Sequence, residues 1–408
     1  MVPSLYNIIA PTHDGQGHVL YNTDTTACIL VDDAELAQYR AIVEGDVTEG
    51  DLFDTLDRLG FLVNDRQSEL DFKRYEFERS KFENSVLEML ICPSLNFDRL
   101  EPNAFGSKRE GIMAAAVQDA IVDFAREQHD HQPFTILKPV WVAADVQALS
   151  VVDGLNERLG MLAQELGVDY WPSALLVTSD ADGNLAREFR SRGIDHVESA
   201  AESERCLHCI EQPSENEDFV HLIADSNGAT APDAPGFTDL RPSGEGNLAN
   251  VNFAAAGLTN FAQATSLDED VFVKRAHVLL DDFLNQSPTQ EDFEEFLRPL
   301  RTYCNASVER SYAIDELGNA YGSTYDLGCE ELVLFNVCEP METRTINMKL
   351  MAKRGIANPL DLEECANCRV YPLCCGGCER VRMDEGALTC VPQRYIIEDY
   401  LTAYSRFF

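Results

Sequence analysis

Five cysteines late in the chain recur at intervals suited to metal ligation: Cys365, Cys368, Cys374, Cys378 and Cys390 give C-x2-C-x5-C-x3-C-x11-C. Two thiolates separated by two residues meet one metal or one cluster edge within a tight turn, and Gly376-Gly377 lets backbone approach without a Cβ clash. Unligated structural thiols explain five cysteines at these intervals poorly. Four thiolates in tetrahedral array also satisfy Zn²⁺, so the spacing alone leaves zinc and an iron–sulfur cluster both open. Cys375 is a spare thiol, expected to be structural.

The thirteen cysteines are unevenly spread, the first 300 residues holding only Cys28, Cys92, Cys206 and Cys209. No export signal precedes the opening residues MVPSLYNIIAPTHDGQ and no run of 18 or more residues is apolar throughout, so a cytoplasmic location and thiol chemistry other than a disulfide framework are expected. The balance of 70 acidic against 32 basic residues, a formal charge of −38, repels nucleic-acid phosphates and anionic lipid surfaces. Neither nucleic acid nor membrane is therefore an expected partner. The acids run along the whole chain, which reads as a solvated or salt-adapted surface before it reads as a concave site for a basic peptide.

At 408 residues the chain accommodates two or three cores. Residues 1–66 read as a small module: alternating segments at Tyr6–Ile9 and His18–Tyr21, a strand at Ala27–Val31, helical patterns, then Gly60–Val63. Residues 67–88 read as a helical linker. From Met89 apolar runs alternate with helical patterns: Met89–Cys92, a helix bearing Met113, Val117, Ile121 and Phe124, the run Phe134–Val142, a helix over Leu155–Leu166, the run Ala174–Thr178, and a helix before Ile194. This alternation predicts parallel strands with crossover helices, an α/β unit over 89–300, with Phe219–Ala224 and Asn250–Ala254 as further strands. Residues 225–248, rich in Gly, Pro, Asp and Ser, read as a long loop. Two amphipathic helices (about 268–286 and 290–302) precede the last segment, 301–408, which reads as a hairpin at Tyr312–Tyr321 and then cysteine-rich turns. The closing helix carries Ile396, Ile397, Tyr400, Leu401 and Tyr404, a stripe expected to pack against the cysteine-rich segment.

The segment "CANCRVYPLCCGGCERVR" with its spacing to Cys390 closely resembles the SPASM domain, the auxiliary iron–sulfur extension of radical S-adenosylmethionine (radical SAM) peptide maturases. The resemblance implies one [4Fe–4S] cluster on Cys365, Cys368, Cys374 and Cys390, with Cys378 helping to hold a second. The second also calls for an upstream C-x(9–15)-G-x4-C. Cys304 and Gly318 fit it, but Ser323 stands where the last thiolate belongs, so absence of a second cluster is expected unless Cys329 or Cys338 substitutes. The resemblance extends over nearly the whole length. It implies a precursor-peptide recognition element of winged-helix type at 1–66, pairing a leader peptide as an added strand, and a partial (β/α)6 barrel at 89–300.

Radical SAM enzymes hold their catalytic cluster through C-x3-C-x2-C after the first barrel strand. Here "LICPSLNFDRLEPNAFGSK" keeps Asn96-Phe97-Asp98 but places Leu95, Arg99 and Pro102 at the three ligand positions. Leu and Pro offer no donor, and Arg brings a permanent cation. Val142-Ala143-Ala144-Asp145-Val146 replaces the Gly-Gly-Glu-Pro turn that grips the SAM amine, and Thr178-Ser179-Asp180 replaces Thr-Asn-Gly. The concordant losses imply that reductive SAM cleavage and SAM binding are gone. The expected role is a degenerate pseudoenzyme partnering an active radical SAM/SPASM maturase and its precursor peptide. A non-radical enzyme and a zinc-stabilised peptide-binding module are the alternatives. Cys206-Leu-His-Cys209 is a lone C-x2-C, a weak signal. His13, His129, His131 and His277 form no ligand spacing, and no phosphate loop, nucleophile elbow or HExxH helix occurs.

Overall fold

The structure, a computed structural model, describes residues 1–82, 84–95, 111–143, 146–176, 184–199, 308–377, 390–391 and 393–408, and parts of 273–299. The expected elements at Phe219–Ala224, 225–248 and Asn250–Ala254, the remnant Asn96-Phe97-Asp98, and the residues Arg99, Pro102, Cys206 and Cys209 lie outside the described residues. The chain is mixed α/β with a mixed parallel and antiparallel main sheet. It divides into two compact units that are not contiguous in sequence: Met1–Glu78 with Gln212–Thr302 and Asn358–Phe408, and Arg79–Glu211 with Tyr303–Ala357.

In the first unit, β1 (Val2–Pro3) pairs with β5 (Leu62–Val63), and β2 (Asn7–Pro11), β3 (His18–Asn22) and β4 (Cys28–Val31) form an antiparallel sheet in the order β2-β3-β4. Period-two alternation divides this sheet between two cores. Leu20 and Val31 face the helices Asp33–Glu44 and Asp51–Arg58, meeting Leu36, Tyr39, Ile42 and Leu56. The first helix is fixed at its start by a capping box, in which Asp32 accepts from the Ala34 and Glu35 amides while Glu35 accepts from the Asp32 amide. Ile8, Ala10, Val19 and Tyr21 face the other way, into a core with Phe283, Phe293, Phe296, Ile396, Ile397, Tyr400 and Tyr404. The closing helix, Gln393–Tyr404, therefore packs its aromatic stripe on the N-terminal sheet as well as on Val370 and Leu373 of the cysteine-rich segment. A sheet polar on neither face needs a cover on both.

In the second unit β6 (Val86–Ile91), β7 (Ile136–Ala143), β8 (Asp169–Tyr170), β9 (Ser173–Leu176), β10 (His196–Ser199), β11 (Ser311–Ile314), β12 (Asn319–Tyr321) and β13 (Phe335–Asn336) make one sheet ordered β10-β9-β7-β6-β11-β12-β13, with β8 pairing to β7. The strands from β10 to β11 run parallel, and β11, β12 and β13 then alternate in direction. Three crossover helices, Ala115–His131, Leu149–Leu166 and Asn184–Ser191, carry the chain through β6, β7, β9 and β10, the parallel pattern expected from the sequence. All three bury Val117, Ile121, Phe124, Leu155, Leu159, Leu185 and Phe189 against the same sheet face, with Met89, Ile91, Leu137, Trp141 and Leu176. This part is thus wound in one direction, with its helices on one side. The opposite face carries Leu90, Cys92, Val142 and Ala313, together with a polar row across three strands in which Glu88 accepts from Ser311 Oγ at 2.8 Å and pairs with Lys138 at 2.7 Å. The hairpin expected at Tyr312–Tyr321 is present as β11 and β12.

Candidate metal centre

The cysteine-rich segment of the first unit consists of three short turns of helix with little length of their own. Asn358 caps the turn Pro359–Asp361 by accepting from the Leu360 amide at 3.0 Å; the helices Glu363–Ala366 and Tyr371–Cys374 follow. Single helical turns are marginal without tertiary support, and this segment receives it. Tyr6, Leu360, Cys365 and Tyr371 share an apolar cluster with Leu5 and Leu70. Thr23 Oγ1 donates to the Arg369 carbonyl at 2.5 Å, Asn358 Nδ2 donates to Glu78 at 2.9 Å, and Arg74 donates to the Leu360 carbonyl.

After Cys374 the backbone takes three consecutive left-handed residues, Cys375 at φ 50°, Gly376 at 84° and Gly377 at 68°. Two of the three are glycine, which adopts this region without steric cost. The turn lets the Gly376 amide donate to Cys374 Sγ at 3.4 Å and the Gly377 amide to the Cys374 carbonyl at 3.0 Å. Cys375 turns the other way and is buried.

Cys365, Cys368, Cys374 and Cys390 line one small cavity together with Glu364, Val370, Tyr371, Gly376, Val391 and Arg394. These are the four residues expected from the sequence to share a site. Cys378 and Cys304 lie outside the described residues. Burial pushes the thiol of Cys374 far up and that of Cys368 up, neighbouring cysteines adding to the rise at Cys374. Both must lose a proton to ligate, so metal uptake here releases protons.

Among the described residues no three Cys, His, Asp or Glu side chains converge closely enough to hold one metal ion. A lone Zn²⁺ at about 2.3 Å from each sulfur requires thiolates nearly in contact. The four thiols line one shared cavity, a donor set that satisfies tetrahedral Zn²⁺ as well as a cluster whose metals each take one thiolate. By its chemistry the donor set fits an all-thiolate iron–sulfur cluster and fits zinc as well.

Arg394 is the functional residue that the sequence pattern did not reveal. It stands on the first turn of the closing helix, and its Nη1 donates to Cys390 Sγ at 3.0 Å. Cys390 lies ahead of that helix, which starts at Gln393, so no helical spacing in the sequence marked the pair.

Elsewhere, Leu95 is fully buried among Leu90, Cys92, Val142, Tyr321 and Leu327, and Cys92 Sγ donates to the Ser94 carbonyl at 3.1 Å. Gly318, at φ 81°, makes the turn between β11 and β12, where a Cβ would lie 2.9 Å from Cys338 Sγ, so only glycine admits that thiol. Cys338 is exposed and Cys329 half-buried. No helix among the described residues is long and apolar enough to cross a membrane. The chain matches no protein-family model, and no curated protein matches it.

Proposed function

We propose that this chain is a catalytically degenerate relative of the radical SAM/SPASM peptide maturases, a partner subunit that binds a precursor-peptide leader and carries one [4Fe–4S] cluster for an active maturase. The observation that carries the reading is a contrast between two places. Cys365, Cys368, Cys374 and Cys390 share one cavity, whereas Leu95, at the first position of the expected catalytic triad of thiolates, is sealed in hydrocarbon. The proposed division is a leader-recognition module at 1–66, a helical linker at 67–88, a degenerate partial barrel at 89–300 and a SPASM-like domain at 301–408.

Three features support that division. The one-directional winding from β6 to β10, with helices on a single face, is how a barrel segment is built. Strand β4 has one partner strand among the described residues and exposes Leu30, an edge on which an extended peptide adds by main-chain hydrogen bonds. The thiol cavity is lined by Val370, Tyr371 and Val391, an apolar wall that keeps water from the donors. When bound, the cluster supplies one-electron transfer. A second cluster on Cys304 and Cys378 is not proposed, because Ser323 cannot provide the missing thiolate.

Anaerobic purification followed by iron, sulfide and zinc analysis tests the reading, together with an assay for 5′-deoxyadenosine after reduction with SAM. Iron and sulfide in equal amounts without SAM cleavage, and co-purification with a neighbouring radical SAM maturase, are expected. Stoichiometric zinc, or SAM cleavage by the isolated chain, overturns it.

A further inference from the structure

The geometry points to Arg394 as the positioning residue of this centre: its guanidinium holds Cys390 at the cavity wall and stabilises the more negatively charged, reduced form of the group bound there. The inference rests on the iron–sulfur reading above and extends it to a residue outside the thiolate set. Cys365, Cys368 and Cys374 are placed by one compact run of turns, but Cys390 enters from another part of the chain. Among the described residues its thiol has no comparable run of turns around it. Arg394 provides a frame, because it reaches back from a helix whose Ile396, Ile397, Tyr400 and Leu401 are all fully buried. The helix is in turn fixed by stacking of Tyr400 on Phe296, with ring centres 3.9 Å apart. The fourth thiolate is thereby tied to a helix buried in the core of the first unit.

The same contact is electrostatic. Four thiolates around one cavity repel one another, and among the described lining residues the Arg394 guanidinium is the cation, opposed by the carboxylate of Glu364. A charge-assisted N–H···S bond stabilises the sulfur more as its negative charge grows. Reduction takes one electron from an external low-potential donor, with dithionite as the donor in the assay, and no ligand or proton is exchanged. The added negative charge falls on the cluster and its sulfurs, and the cation favours that state.

Arg394→Met and Arg394→Lys test this in the full chain, purified anaerobically, with the fold checked by circular dichroism. Iron and sulfide content, the rate of cluster loss under air and the midpoint potential by dye-mediated titration are the readouts. Arg394→Met is expected to lose its cluster at least tenfold faster and to shift the midpoint negative by about 59 mV, one tenfold change for a one-electron couple. Arg394→Lys, which keeps the charge but not the planar fork, should recover most of the potential and less of the retention. Wild-type protein without iron sinks the cluster reading. Wild-type protein with iron but an Arg394→Met variant unchanged in retention and potential sinks the assignment of Arg394 alone.

Discussion

Leu95 and Cys92 belong to one apolar cluster, both fully buried, just beyond the carboxyl end of strand β6. Truncating Leu95 to Ala leaves a cavity in that core and should lower stability by about 2–5 kcal/mol, with iron content unchanged. Urea titration and iron analysis on the same preparation check both halves. Loss of iron from a folded Leu95→Ala protein would locate a metal site there instead.

Adjacent thiols should behave in opposite ways. Cys374 faces the shared cavity and Cys375 is turned into the interior by its left-handed backbone. Cys374→Ala is expected to abolish cluster loading, and Cys375→Ala to leave iron and sulfide at the wild-type level. The reverse result exchanges their assignments.

Arg310 is buried and its guanidinium joins three chain segments, donating to the carbonyls of Asn84 at 3.0 Å, Gln128 at 2.8 Å and Gln132 at 2.8 Å. Gln128 lies in the last turn of the helix Ala115–His131, where unpaired carbonyls concentrate negative potential. Arg310→Met removes three hydrogen bonds to half-buried or exposed carbonyls and should destabilise the protein by about 1–3 kcal/mol. Arg310→Lys cannot span the three carbonyls and should recover little of that loss, as read by the urea midpoint.

His277 gives the protein a pH-dependent contact. Its Nδ1 lies 2.8 Å from the Val273 carbonyl and its Nε2 2.8 Å from Asp399. The backbone carbonyl first, then Asp399 and Asp281, hold its pKa above the ordinary 6.5. The protonated form is the bonded one, so this contribution is complete below about pH 6.5 and fades as pH rises through the raised value. His277→Gln should lower the melting temperature slightly at pH 6 and not at pH 9; the pair is solvent-accessible, so the difference is small. Equal differences at both values reject the assignment.

Local patterns carried much of this architecture. The alternation from Met89 onward located β6, β7, β9 and their helices, because each crossover repeats the same period change. The cysteine spacing marked five thiols, and the resemblance to the SPASM pattern assigned four of them to one site; those four line a common cavity. Pairings distant in sequence left no such trace. Ser311 aligns with Glu88 in the parallel pair of β11 and β6, and nothing near either residue encodes that register. The closing helix was read as packing on the cysteine-rich segment because its stripe follows those cysteines; the sheet bearing Ile8, Val19 and Tyr21 also covers it, a contact set by tertiary packing. Short strands such as β8 and β13 lack the length for a periodic signal.

The first unit joins the opening sheet to residues 358–408, and that arrangement has a consequence for synthesis. Translation delivers the sheet early, at about 5–20 residues per second, and then the rest of the chain before Tyr400 and Tyr404 emerge to cover its second face. The nascent sheet must wait on the ribosome with Ile8, Val19 and Tyr21 uncovered. Cys365, Cys368, Cys374 and Cys390 are made in the same final stretch, so closing this core and bringing the four thiols to one cavity become a single late event in the life of the polypeptide.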